Sequence, residues 1–113
     1  MNMGMAVPLT LLDTYPYAGR TLVNPSSLSG TVRHFVCIGT STSSNTVNAA
    51  FSPANPTKCL NLSLDNGGLY QCAEPMLDCA MPPTGAASGC WLFDFADQMV
   101  TAGKASYVNV MPL

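Results

Sequence analysis

The chain has 113 residues, enough for one domain built around one core. Hydrophobic residues make up 48% and charged residues only 9%, against roughly a quarter charged in ordinary soluble domains, so the neutral polar residues Ser, Thr and Asn must supply much of the solvated surface. The net charge is −2 and the four basic residues, Arg20, Arg33, Lys58 and Lys104, are widely scattered, so the sequence offers no basic patch for direct nucleic-acid binding; nor does any apolar run reach the roughly 18–20 residues that span a bilayer, and no membrane partner is expected.

The first segment, MNMGMAVPLTLLD, is apolar. It lacks a basic leading region and is interrupted by Pro8, so it reads as an extended N-terminal arm over residues 1–12, with a weak strand at 6–12, and not as a secretory leader. Tyr15 and Tyr17 follow in TYPYAG, and 20–23 reads as a second weak strand. In residues 32–38, Val32, His34, Val36 and Ile38 alternate with Arg33, Phe35 and Cys37. Apolar side chains on nearly both faces predict a central strand. His34, the chain's one histidine, reads as a core or edge-strand residue satisfied by a hydrogen bond. It lies three residues from Cys37, which puts the two side chains on opposite faces and prevents a local thiol–imidazole pair.

GTSTSSN and SPANPTK read as solvated loops flanking a weak strand at 46–51. Residues 59–64, CLNLSL, alternate cleanly: Leu60, Leu62 and Leu64 on one face, Cys59, Asn61 and Ser63 on the other. Asp65-Asn66-Gly67-Gly68 supplies a tight turn, and 69–72 is the return strand of a hairpin. Asn61-Leu62-Ser63 matches a glycosylation acceptor, but inside a predicted strand it reads as a chance match.

Cys72, Cys79 and Cys90 follow with the spacing C-x6-C-x10-C, preceded by Cys59. Readable zinc sites pair ligands two to four residues apart on tight knuckles, and none of these gaps qualifies. Two readings of the thiols stand. They fill small buried spaces, or one bridge forms within Cys59, Cys72, Cys79 and Cys90. Cys72 and Cys79 flank a short Pro-containing loop whose closure is worth about 2–3 kcal/mol.

A short helix is expected over roughly 93–102, from the stripe Leu92, Phe95, Met99, with Asp94 and Asp97 near its start, where the dipole favours them. No calcium-type loop, phosphate loop or nucleophile elbow accompanies these carboxylates. After Gly103, residues 105–111 predict a final strand with Val108 and Val110 on one face and Tyr107 and Asn109 on the other.

The fold expected is mainly β: one domain over 1–113, a small antiparallel β-sandwich or barrel of roughly 6–8 strands with at most one short helix near 93–102 and extended termini. No catalytic set, metal site or cofactor site is read, so a non-enzymatic structural or interaction role is expected. The proposed setting is a large assembly, with a virus (phage) capsid minor, cement or decoration protein as the model and localisation in the virion. Its partners would be other protein subunits, such as a major capsid or shell protein, and further copies of itself. Met1, Met3, Met5, Val7, Leu9, Tyr107, Val108, Val110 and Leu113 are the expected contact residues, from apolar end segments suited to strand addition. The alternative is an extracellular, disulfide-stapled binding module for a carbohydrate or protein ligand, using Tyr15, Tyr17 and Trp91.

Overall fold

The order of elements along the chain is strand, hairpin, helix, strand. The computed structural model describes residues 17–38, 52–73, 76–77 and 91–112. Within them lie β1 (Val32–Cys37), β2 (Cys59–Leu62), β3 (Leu69–Gln71), α1 (Trp91–Thr101) and β4 (Tyr107–Pro112), with a short 3-10 turn at Pro25–Ser27. The predicted weak strands at 6–12 and 46–51 lie outside the described residues.

The strands form one open sheet in the order β1-β4-β2-β3. β4 runs parallel to β1, pairing Val32 with Tyr107 through Cys37 with Pro112, and parallel to β2, pairing Cys59 with Val108 through Asn61 with Val110. Only β2 and β3 are antiparallel, with Leu62 opposite Leu69. A mixed, four-stranded open sheet carrying one helix therefore replaces the expected antiparallel sandwich or barrel of roughly 6–8 strands. The physical reason is that the last strand enters between β1 and β2 instead of adding to an edge.

Two further expectations change with this topology. Among the described residues β1 is an edge strand, not a central one, and the central positions belong to β4 and β2. The expected strand over 20–23 is reduced to an antiparallel bridge between Leu22 and Tyr70. Its neighbours still serve β3: Val23 N–H donates to Leu69 O at 2.7 Å, and Gln71 N–H to Thr21 O at 2.9 Å. This segment covers the outer edge of β3.

The hairpin forms where its sequence places it. Ser63 and Gly68 close the loop through Ser63 N–H to Gly68 O at 2.8 Å, and Gly67 N–H returns to Ser63 O at 2.8 Å. Asn66 holds the turn from inside, its Oδ1 accepting Gly68 N–H at 2.8 Å. The alternation of β2 is real but its reading inverts at the end: Asn61 and Ser63 are fully buried, whereas Leu64 is 52% exposed.

The helix begins two residues earlier than expected, ends at Thr101 and is closed by Gly103. Gly103, at φ 71°, occupies the left-handed position after the last turn. Its N–H donates to Val100 O at 3.0 Å and that of Lys104 to Met99 O at 3.0 Å, the paired bonds of a Schellman closure. Leu92, Phe93 and Ala96 are the buried face of α1. They pack against Cys59, Val108 and Val110 of the sheet, with Phe35, Cys37 and Met99 at the margin. Phe35 of β1 meets Phe95 of α1 edge to face, ring centroids 4.8 Å apart. A smaller cluster of Tyr17, Tyr70 and Leu77 lies under the hairpin, the two tyrosine rings stacked at 5.6 Å.

Candidate functional site

The residues carrying chemistry fall into three places: the joint between α1 and the loop before β2, the polar line across the central strands, and the outer edge of β1.

At the joint, the side chain of Asp97 projects from α1 towards the loop. Its carboxylate accepts Ala54 N–H at 3.0 Å, Asn55 N–H at 2.9 Å and the Asn55 side-chain amide at 3.0 Å. The Asn55 amide also donates to Thr101 Oγ1 at 2.9 Å. Burial works against the charge on Asp97, but the N–H groups of Ala54 and Asn55, together with the Cys59 thiol, outweigh it and hold the carboxyl below its ordinary value. Cys59 is fully buried and its Sγ lies 3.8 Å from Asp97 Oδ1. Burial, then the negative charge of Asp97 and the hydrogen bond to it, push the Cys59 thiol up to about 12. A nucleophilic cysteine needs the opposite shift. Cys59 is a buried donor to a carboxylate, and Asp97 ties the loop to the helix.

Across the central strands lie two fully buried asparagines. Asn61 on β2 donates to Val110 O at 2.9 Å and accepts Leu77 N–H at 2.8 Å. Asn109 on β4 accepts Leu62 N–H through Oδ1 at 2.8 Å, and its Nδ2 lies 3.2 Å from His34 Nδ1 on β1. A backbone N–H can only donate, so Leu62 fixes the orientation of the Asn109 amide. Its NH2 then donates to His34, whose Nδ1 must accept and whose proton sits on Nε2. The hydrogen bond expected of His34 exists. The Asn61 amide, with both ends bonded inside the core, is committed to structure.

At the outer edge of β1 the even-numbered residues face away from α1. Val36 is 50% and Ile38 78% exposed, and His34 is exposed beside them. Phe35 and Cys37, on the other face, pack against the helix side. Among the described residues no strand pairs with this edge. Arg33 is the one charged side chain in β1, and its Nε donates to Lys104 O at 3.0 Å.

The expected contact residues divide. Met1, Met3, Met5, Val7, Leu9 and Leu113 lie outside the described residues. Val108 and Val110 are fully buried in the chain's own core, and Tyr107 is half-buried at the start of the central strand. Cys72 is half-buried against the main core, while Cys79 lies outside the described residues. Of the residues read as a sugar platform, Tyr17 is buried against Tyr70, Trp91 packs at 6.4 Å from Phe95, and Tyr15 lies outside the described residues. Among the described residues no group of three or more His, Cys, Asp or Glu side chains is placed to hold a metal ion, and no helix is long and apolar enough to cross a membrane.

Sequence reasoning missed Asp97 as a loop anchor and the exposed strip of β1. An Asn-Pro pair ahead of a strand signals a loop needing an anchor, but it does not name the partner 42 residues away. The chain matches no protein-family model, no curated protein and no solved structure.

Proposed function

We propose that the chain is a non-enzymatic interaction subunit of a larger assembly, of the kind represented by a minor, cement or decoration protein of a virus particle. The observation that carries this reading is the outer edge of β1, where Val36 and Ile38 are exposed side by side. Edge strands are ordinarily blunted by charge, proline or a bulge, because an open row of N–H and C=O groups recruits further strands. Val36 and the following Ile38 provide an apolar strip at the end of this edge, and the one charge of β1, Arg33, alternates to the other face, where its Nε donates to Lys104 O.

The occupant proposed is the same strand of a second copy. A two-fold contact places one patch against itself, and an uncharged strip has no like charges to repel its own image. β1 would then pair antiparallel with its counterpart, joining two four-stranded sheets edge to edge.

Sedimentation velocity on the full chain tests this. The expected result is a dimer that Val36→Lys with Ile38→Lys converts to monomer while far-UV circular dichroism is unchanged. A wild-type chain that remains monomeric as its concentration rises, or a dimer indifferent to both lysines, overturns it.

A further inference from the structure

Three strands, β1, β2 and β4, run parallel, so the residues just before each of them meet at one end of the sheet. There they line a depression of about 550 Å³ whose walls include Thr31, Asn55, Lys58, Thr101, Lys104 and Ser106. Lys58 directly precedes β2, and Lys104 follows the Gly103 closure of α1. Arg33 joins them, its guanidinium held to the Lys104 carbonyl. Lys58 and Lys104, far apart in sequence, thus line one depression, and Arg33 reaches the backbone beside it. The fourth basic residue, Arg20, donates to Ala73 O at 2.8 Å.

The charge of this depression is one-sided, and its hydrogen-bonding groups lean towards donors. Ser106 Oγ already accepts Thr31 N–H at 3.2 Å, and Thr101 Oγ1 already accepts the Asn55 amide at 2.9 Å. Each hydroxyl keeps its O–H to give, along with one lone pair. Two ammonium groups add three donors each. Among the described residues no carboxylate lines the depression, and Asp97, behind Asn55, has its oxygens engaged by the N–H groups of the loop. The C-terminal end of α1 contributes a partial negative charge of roughly one half, offset in part by the Schellman bonds and smaller than the two lysine charges. The depression therefore offers donors and positive charge, and a matching ligand must offer acceptors and negative charge.

We propose that this depression is a binding site for a phosphate group carried by a small molecule. A phosphate presents more acceptor oxygens than a carboxylate and carries up to two charges, which suits two ammonium groups and two hydroxyl donors. The volume falls within the range of small-molecule sites, roughly 300–1,000 Å³, and leaves room for the rest of the ligand beside the phosphate. This proposal goes beyond the assembly reading and does not depend on it, since none of His34, Val36 and Ile38 lines the depression.

The test is an amide NMR titration of the full chain with inorganic phosphate, ionic strength being held constant with sodium chloride. Saturable shifts are expected at Thr31, Gly103, Lys104, Ala105 and Ser106, weakened about tenfold in Lys58→Met and in Lys104→Met and retained in Lys104→Arg. Both lysines are exposed, so these variants fold, and an unchanged amide spectrum elsewhere confirms it. The proposal is overturned by shifts that chloride reproduces, by shifts that do not saturate, or by binding that survives both methionine variants. Because Val36→Lys with Ile38→Lys leaves the depression intact, failure of the dimer and failure of phosphate binding are read separately.

Discussion

The Asp97 carboxylate accepts both the backbone and the side-chain N–H of Asn55, at 2.9 and 3.0 Å, and so joins the helix to the loop that leads into β2. In Asp97→Asn an amide NH2 replaces one of the two acceptor oxygens, and a donor then faces a donor. The expected loss is about 1–3 kcal/mol in urea unfolding. The pH dependence follows from the lowered carboxyl. The native state holds this proton less tightly than the unfolded chain, so the stabilisation is complete above the ordinary value of 3.8 and is lost as pH falls through the lower native value. The acid limb of the stability profile is expected to flatten in Asp97→Asn; an unchanged limb would show that other carboxyls set it.

Cys59 acts at the opposite end of the scale. Its native thiol is raised to about 12 from 9.0, so the folded protein keeps a proton that the unfolded chain releases. Stability is complete below 9.0 and declines as pH rises from there towards about 12. Cys59→Ala, though destabilised by its cavity, is expected to lose this part of the alkaline decline. In the native chain iodoacetamide should leave Cys59 unlabelled until denaturant exposes it, as peptide mapping of the alkylated protein would reveal.

Asn61→Leu removes the donor to Val110 O and the acceptor for Leu77 N–H from a fully buried position. The leucine is of similar size, so the loss is of pairing more than of volume. A cost of about 1–3 kcal/mol is expected for each backbone group left unpaired. Hydrogen exchange is the direct readout: the Leu77 amide should lose protection, and a Leu77 amide as slow as in the wild type would count against the bond.

Gly68 is required for room. A Cβ there would lie 2.8 Å from Tyr70 Cε2 and 2.9 Å from its hydroxyl. Tyr70 cannot retreat easily, since its ring stacks on Tyr17 and its hydroxyl accepts the Asn66 amide at 3.0 Å. Gly68→Ala is therefore expected to lower stability by about 1–3 kcal/mol. Gly68→Ala combined with Tyr70→Phe, which withdraws the hydroxyl, should recover part of that loss in the denaturation midpoint.

What could be read from the sequence was local. The Asn66-Gly67 turn, the alternation of CLNLSL and the stripe ending at Gly103 each involve neighbours within a few residues, and the hairpin and helix follow from them. The sheet order could not be read this way, because the pairing of Val32 with Tyr107 joins segments that have no local reason to meet. The error over β1 had the same origin. Alternating apolar residues on both faces suit a central strand, yet Val36 and Ile38 are exposed because β4 took the central place. Lys58 and Lys104 looked scattered for as long as the parallel pairing that gathers them was unknown. The buried asparagines were read as the polar face of their strands, whereas Asn61 and Asn109 bond across the sheet from within it.

The position of β4 bears on how the chain reaches this state. β1 and β2 never touch as neighbours; each is joined to the sheet through a strand synthesised after both. Until that strand arrives, only the β2–β3 hairpin has its partner, and β1 waits for residues 75 positions further along. Loop closure of that length precedes most of the stabilising contacts, which slows folding relative to a chain of successive hairpins. During the wait no described strand lies on either side of β1, so the newly made chain is most exposed to wrong pairing before its last described strand slides into the gap.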